Sequence, residues 1–460
     1  MISLSIVNPK WIEKIRILFL PDFPVEQYFK NVANDKGVIQ KDMAILIKIF
    51  AVLCCLLIVA TALAPVHVAA VYLIIRPLLQ PFSLLQQDVF GIPIGALPSM
   101  LLIPIAFLNA VFRKKYRFFV GHIIFLYLLL MFSILSIYNS SDYLASLEAI
   151  IKLLVGIGMF LLVYNGIDNV KKVRLLLWSF AVSAIIPILF GFYEIISGNY
   201  GLLHQATVER VSSVFGIGNA FGIYMSIVMI AILMLFLLET AHKKRMVLLV
   251  LLGLLVVLQV FALNRGTWIA LFLGTLISSI FYKKKIQFRW FVLAGMLVAL
   301  FFAGQIITRF SDIDRVDESG RTHNTFEGRV EYWQKIIPLI AKRPVIGYGV
   351  GTSEEVTYKY LKNETPPHND YVRLALEIGV PGAMIYMLFL FFELLRNFKK
   401  ALSKDLWQIN YPMFILILYF SIISITQNIV YTVINFPMFT AMVGLSLKCN
   451  KLMRGNDELG

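Results

Sequence analysis

The chain alternates long apolar runs with short, basic connections, and this alternation predicts a bundle of membrane-crossing helices. The apolar runs that we interpret as crossings are residues 43–63, 91–112, 118–138, 144–164, 173–196, 222–239, 246–263, 268–282, 290–307, 379–396, 411–427 and 431–448. The pattern therefore predicts an all-α polytopic membrane protein with about 12 transmembrane helices.

Composition supports a membrane protein over a soluble one. Hydrophobic residues make up 59% of the 460 positions and charged residues only 15%, with a mean hydropathy of +0.79. This is more apolar surface than one soluble core could bury. The formal net charge of +15 does not indicate a nucleic-acid partner, because the basic residues fall in clusters between apolar runs. Membrane lipids are the expected surroundings.

The basic clusters also set the expected orientation. With the N-terminus inside, every predicted cytoplasmic connection is basic, as the positive-inside rule requires. Residues 1–42 then form a cytoplasmic N-terminal arm and residues 449–460 a cytoplasmic tail. Prolines at 65, 77 and 81 interrupt the stretch 64–90. We expect that stretch to be an interfacial or re-entrant element on the outer side.

One sizeable polar region separates the two groups of predicted helices. Residues 43–307 carry helices 1–9, residues 379–448 carry helices 10–12, and residues 308–378 lie between them. Acidic and basic residues are nearly balanced in this stretch, which favours a folded, helical subdomain on the outer face. Apolar residues at helical spacing around 329–337 predict an amphipathic helix. The glycines at 347, 349 and 351 predict a flexible turn that acts as a hinge.

His368 is the first candidate for chemistry. It directly precedes an apolar run at the expected outer surface, where an imidazole can accept a proton from a hydroxyl group. Asn369 and Asp370 could orient the ring. Alternatively, His368 caps the next helix or bonds a carbonyl group, and either neighbour is an ordinary helix N-cap.

Three arginines are expected on the same side of the membrane as His368. They are Arg210 in a shorter outer connection, Arg265 at an outer helix end, and Arg329 in the large polar region. Guanidinium groups bind phosphate in a bidentate manner and stay charged at any relevant pH. The alternatives are snorkelling of Arg265 to the lipid headgroups and surface salt bridges for Arg210 and Arg329.

Metal chemistry has no support in the sequence. There is no His-x-x-x-His or Cys-x-x-Cys pair and no repeated acidic spacing, so neither a metal nor another cofactor is expected. A few ionisable residues, among them His122 and Glu194, fall within apolar runs. Such residues are functional candidates by their position alone.

Several ordered motifs resemble the O-antigen ligase and polymerase family of membrane glycosyltransferases. His368-Asn369, a nine-residue spacer and Gly379-Val380-Pro381-Gly382 are similar to the family's His signature. Upstream, the matching segments are Asn264-Arg265-Gly266-Thr267-Trp268, Gly328-Arg329 with Trp333, Arg343-Pro344 with Gly347-Tyr348-Gly349, and Arg210 followed by Asn219. The Asn-Pro-Asn form that is frequent in the family after this arginine is absent.

The resemblance implies a metal-independent, inverting glycosyltransferase of the helical GT-C type in the bacterial inner membrane, with its active site on the periplasmic face. The donor would be a glycan on undecaprenyl pyrophosphate, and the acceptor a growing glycan or a lipid A core. His368 would act as general base, while Arg265, Arg210 and Arg329 would bind the pyrophosphate.

Ligase and polymerase activities attack the same leaving group, so these motifs leave both open. The alternative class is a twelve-span transporter or flippase. Transporters usually bind their substrates near the membrane midplane between repeats, and the sequence has no visible half-repeat.

Overall fold

The computed structural model describes residues 65–81, 88–89, 92–93, 97–112, 116–200, 210–282, 303–304, 307, 314–316, 322–363, 365–402 and 407–457. The predicted N-terminal arm at 1–42, the predicted crossing at 43–63 and most of the predicted crossing at 290–307 lie outside the described residues.

The described part is almost entirely helical, which confirms the all-α prediction at that level. Its helices are α1 (Pro65–Leu78), α2 (Leu97–Phe112), α3 (Ile123–Ser136), α4 (Tyr143–Gly166), α5 (Val170–Ser183), α6 (Ile185–Ser197), α7 (Gly218–Leu238), α8 (His242–Phe261), α9 (Arg265–Tyr282), α10 (Thr325–Lys342), α11 (Ser353–Leu361), α12 (Asp370–Ala401), α13 (Trp407–Ile423) and α14 (Asn435–Asp457). Two antiparallel ladders join β1 (Asp88–Val89) to β2 (Ile92–Pro93) and β3 (Asp314–Val316) to β4 (Thr322–Asn324).

Five helical stretches of the described residues are long and apolar enough to cross a membrane. They are Tyr143–Gly166, Val170–Ser197, Gly218–Leu238, His242–Phe261 and Asp370–Ala401. Several of the other crossings predicted from the sequence correspond to shorter apolar helices, namely α2, α3, α9 and α13. The described residues thus support a multi-span membrane protein without fixing the number of crossings.

Local sequence explains where two of the spans begin. Asp142 caps α4, since its carboxylate accepts hydrogen bonds from the backbone N–H groups of Leu144 and Ala145 at 2.9 and 3.0 Å. Asn169 caps α5 in the same way through Lys172 N at 3.0 Å. Each cap satisfies amide groups that have no partner within the helix.

Residues 65–78 of the proline-interrupted stretch form a helix that is largely buried in the bundle, and its placement as an interfacial or re-entrant element stays a prediction. At its start, the backbone of Val66 packs against Gly166 at the end of α4. Further along, Tyr72 donates its hydroxyl proton to the backbone oxygen of Val433 at 2.7 Å. The prolines lie at the two ends of this helix and do not break it. Pro65 suits a first helical position, and Pro77 falls in the last turn.

The described part of the polar region contains two helices, α10 and α11. Helix α10 includes the expected amphipathic stretch and continues through Pro338 to Lys342. Helices α10 and α11 and the first turns of α12 share a small apolar core that consists of Ile336, Leu339, Tyr348, Val356 and Leu376.

The bundle has a basic end, which we define by Arg117, Arg174 and Lys448. Arg117 N donates to Asn165 Oδ1 at 2.8 Å, and Arg174 donates to the backbone oxygen of Leu238 at 3.1 Å. The Lys448 ammonium lies 5.2 Å from the ring centre of Tyr164. The opposite end, which we call the site end, carries His368 and the start of α12.

Candidate active site

His368 is held in a strained backbone conformation by contacts on both sides. Its φ is 49°, in the left-handed region. On one side, Trp333 Nε1 donates to Pro367 O at 2.7 Å. On the other, Asp370 N donates to Ser424 O at 2.8 Å. A left-handed conformation away from glycine costs about 1–3 kcal/mol and persists only where the surroundings impose it. The structure therefore fixes the position of this residue.

The two residues after His368 anchor structure. The Asn369 side-chain oxygen accepts hydrogen bonds from Tyr371 N and Val372 N at 2.9 and 3.1 Å, so Asn369 is the N-cap of α12. The fully buried Asp370 carboxylate accepts from Ile429 N at 3.0 Å and from Ser424 Oγ at 3.1 Å. In these contacts the carboxylate holds the 424–434 connection, and the orientation of the imidazole by either side chain stays a prediction.

The 424–434 segment is a non-helical connection between α13 and α14 that lies largely inside the bundle. Buried backbone needs hydrogen-bond partners, and side chains from distant helices supply them here. Asp370 accepts from Ile429 N and Val430 N, while Tyr72 donates to Val433 O. The segment is thereby held against the start of α12.

Arg329 reaches this segment from the amphipathic helix α10. Its Nη1 donates to the backbone oxygen of Thr426 at 3.3 Å. Burial lowers the pKa of Arg329, although a guanidinium remains charged at physiological pH. The residue is half-buried, so its side chain is not fully exposed at the surface.

The surroundings of His368 favour its neutral form. Burial lowers the pKa of the imidazole below its ordinary value of 6.5, and the nearby positive charges of Arg329 and Arg373 lower it further. At neutral pH the ring therefore has an unprotonated nitrogen. An imidazole in that state can accept a proton from a hydroxyl group that reaches it.

Arg210 is positioned by a buried carboxylate. Glu194 accepts hydrogen bonds from Ser212 N and Ser213 N at 2.9 and 2.8 Å, which fixes the turn directly after Arg210. Arg210 Nη1 donates to Asn219 Oδ1 at 3.3 Å. Glu194, a functional candidate by its place in an apolar run, thus has a positioning role in the described contacts.

Arg265 opens helix α9 in a turn that its own motif builds. The Asn264 side chain accepts from Thr267 N at 3.3 Å, as an N-cap does, and the Thr267 hydroxyl donates to Asn264 O at 2.8 Å. Trp268 Nε1 donates to Gln259 O at 2.7 Å, which ties the turn to α8. The Asn-Arg-Gly-Thr-Trp motif therefore fixes the backbone from which the half-buried Arg265 extends.

Contacts between their segments bring the candidate residues to one end of the bundle. Asn264 Nδ2 lies 3.4 Å from Asn219 O, which joins the turn of Arg265 to the partner of Arg210. A Cβ on Gly266 would lie 2.9 Å from Thr426 Oγ1, so α9 packs closely against the 424–434 segment. The same Thr426 accepts the hydrogen bond from Arg329.

Two charged residues of this region were not among the sequence candidates. Arg373 Nε lies 2.8 Å from Glu377 Oε1, and its guanidinium lies 4.9 Å from the ring centre of Tyr431. Glu377 also accepts from Gly351 N at 2.9 Å. The signal was present, since Asp370, Arg373 and Glu377 have the spacing of one helix face.

The glycine turn is tied to α12 by backbone hydrogen bonds, and its role as a hinge stays a prediction. Tyr348 N donates to Leu376 O at 3.0 Å and Gly349 N to Glu377 O at 2.9 Å, so the turn pairs with the backbone of α12. Gly379, with φ 83°, interrupts α12 there, and a Cβ on it would collide with Val345 O. The turn therefore supports the first part of α12, which carries Arg373 and Glu377.

No group of three or more His, Cys, Asp or Glu side chains with the arrangement of a metal site occurs among the residues that the structure describes. The described charged groups around His368 are the guanidinium groups of Arg329 and Arg373 and the carboxylates of Asp370 and Glu377, which accept hydrogen bonds from the backbone.

These features define a multi-span membrane protein with an imidazole and several guanidinium groups at one end of its bundle. Residues 254–387, which include Arg265, Arg329 and His368, match the O-antigen ligase family. A provisionally named polysaccharide ligase of Rickettsia conorii (strain ATCC VR-613 / Malish 7) is 25% identical over 192 residues, or 38% of this chain and 46% of that protein. The alignment thus spans about half the length of this relative. Both matches support membership of the O-antigen ligase and polymerase family, as the motifs indicated.

Proposed function

We propose that the protein transfers a glycan from undecaprenyl pyrophosphate to an acceptor hydroxyl at the outer leaflet of the bacterial inner membrane. The acceptor is a lipid A core for a ligase, or a growing glycan for a polymerase. The family match supports a membrane polysaccharide ligase, and the donor, the acceptor and the side of the membrane are part of the proposal.

In the proposed reaction His368 accepts the proton of the acceptor hydroxyl while its oxygen attacks the anomeric carbon. A new C–O bond forms, the C–O bond to the pyrophosphate breaks, and the leaving group departs with the bonding electrons. Because this is a single displacement, the anomeric configuration inverts. General-base assistance contributes on the order of 10²- to 10⁴-fold in rate.

Arg265, Arg210 and Arg329 bind the pyrophosphate in this proposal. Negative charge grows on the leaving group as the bond breaks, and preorganised guanidinium groups stabilise that charge without a divalent metal ion. The observation that carries the proposal is the meeting of the arginine-bearing segments around Thr426, next to the start of α12. The lowered pKa of His368 agrees with a base that works at neutral pH.

Deletion of the gene followed by electrophoresis of the surface polysaccharide tests the proposal. Unattached long chains in the deletion strain indicate a ligase, and single repeat units indicate a polymerase. An unchanged polysaccharide pattern would contradict both. Complementation with a His368→Ala variant tests the base, because a transferase that uses this imidazole should lose glycan transfer without it.

A further inference from the structure

Arg76 in α1 is a buried cation whose charge is not matched by a carboxylate in the described part of the protein. Arg76 is 3% exposed. Nη1 donates to Gln80 Oε1 at 3.1 Å, and Nε is buried without an acceptor. Among the described ion pairs none involves Arg76.

Two other arginines, both half-buried, provide the comparison. Arg373 pairs with Glu377 at 2.8 Å, and Arg396 pairs with Glu393 at 2.5 Å. Removing a guanidinium from water without a counter-charge is strongly unfavourable. Snorkelling does not explain Arg76, because protein atoms cover it. A buried guanidinium that has Tyr72 and Gln80 but no carboxylate beside it among the described residues is suited to an anion that arrives with a ligand.

The position of Arg76 indicates which ligand this is. Helix α1 starts beside Gly166 near the basic end and runs toward the site end. Tyr72, one turn before Arg76, donates to Val433 O of the 424–434 segment. The same helix packs against the turn Ser213–Phe215, which follows Arg210. Arg76 therefore lies on a helix that contacts both the 424–434 segment and the turn after Arg210, which border the proposed pyrophosphate site.

We propose that Arg76 binds a phosphate group of the lipid-linked diphosphate donor and so adds a guanidinium from α1 to the site. This inference rests on the proposed function, since it assigns one more residue to the same leaving group. The Nε–H and the remaining guanidinium hydrogens supply donors in the planar arrangement that matches phosphate oxygens.

The test compares purified Arg76→Gln and Arg76→Met proteins with the wild type. Farnesyl diphosphate serves as the donor probe, farnesol as its phosphate-free match, and phosphatidylglycerol as a competing phospholipid. We expect both variants to bind farnesyl diphosphate at least about tenfold more weakly, as loss of a charge-assisted hydrogen bond implies. Farnesol binding should stay the same.

Thermal unfolding without ligand gives an independent readout. Since each variant removes an unmatched buried charge, the melting temperature should stay the same or rise. A purely structural Arg76 would instead give a lower melting temperature with unchanged farnesyl diphosphate affinity, which would overturn the inference. Arg174→Gln, which removes an arginine at the basic end, is the matched control and should bind the probe like the wild type.

Two further outcomes decide the source of the phosphate. Loss of phosphatidylglycerol binding with retained farnesyl diphosphate binding would overturn the inference and identify a bound phospholipid instead. Equal glycan transfer by wild type and Arg76→Gln in a complemented deletion strain would also overturn it, while leaving the proposed function intact. Absence of any effect of the deletion on the polysaccharide would mean that the proposed function itself is wrong.

Discussion

The rings of Tyr371 and Tyr386 lie 5.9 Å apart, centre to centre, although both residues belong to α12. In a straight α-helix, 15 residues would separate them by about 22 Å. The chain instead folds back at Gly379, and Tyr386 comes within 3.0 Å of Ser424 Oγ. Because of this reversal, the start of α12 packs against the end of α13, and His368 lies next to that contact.

Gly379→Ala should therefore damage both stability and transfer. The φ of 83° disfavours any side chain, and the added Cβ would collide with Val345 O. We expect a loss of more than about 1 kcal/mol of stability, measured as a lower melting temperature in detergent. Gly253→Ala is the control, because that helical glycine has open space around its Cβ position. Equal melting temperatures for the two variants would contradict the steric account.

His368→Ala should abolish glycan transfer while membrane insertion and abundance stay normal. Loss of the base removes on the order of 10²- to 10⁴-fold in rate. Polysaccharide electrophoresis of the complemented deletion strain measures transfer, and immunoblotting of the membrane fraction measures abundance. His67→Ala, at an exposed position of α1, should transfer normally. Full transfer by the His368 variant would remove the base assignment.

The pH dependence of transfer should report the imidazole. Burial first, then the charges of Arg329 and Arg373, lower the pKa of His368 below 6.5, so the rate should fall only at a pH below that value as the ring becomes protonated. Arg329→Met removes one positive charge, which makes protonation easier and raises the pKa of His368. The acid limb of its rate profile should shift to higher pH. An unshifted limb would show that Arg329 does not act on the reacting base.

Arg265→Lys should not restore transfer, because an ammonium group cannot make the bidentate contact with a phosphate. Transfer is measured in the complemented deletion strain. The control is Arg245→Lys at the basic end, where the guanidinium lies 4.3 Å from the ring centre of Phe236 and a lysine keeps the charge. If Arg265→Lys transfers like the wild type, the arginine only reaches for lipid headgroups.

Trp333→Phe tests whether the position of His368 matters for rate. The change removes the Nε1–H donor to Pro367 O and keeps most of the aromatic ring. A neutral hydrogen bond contributes about 0.5–1.5 kcal/mol, so kcat should fall roughly 3- to 10-fold while the KM for the donor stays near the wild-type value. A higher KM with unchanged kcat would indicate a binding role for Trp333 instead.

Short-range sequence signals predicted what depends on short-range structure. Apolar runs gave the helical class, and the spacing around Trp333 gave the amphipathic helix. The sequence motifs identified the candidate site residues, but not the distant residues that hold them in place. Asp370 binds the backbone of Ile429, and Tyr72 of α1 binds the backbone of Val433. Both contacts depend on packing between segments that are far apart in the chain. Prolines at 65 and 77 look like interruptions until the buried helix that they bound is seen.

The hydrogen bond between Tyr72 and Val433 joins residues 361 positions apart in the sequence. The surroundings of His368 therefore cannot be complete until nearly the whole polypeptide has been synthesised and inserted. A nascent or truncated chain that ends with α13 lacks this bond, and also lacks the backbone amides of Ile429 and Val430 that Asp370 binds. We therefore expect the environment of His368 to form only at the last stage of biogenesis.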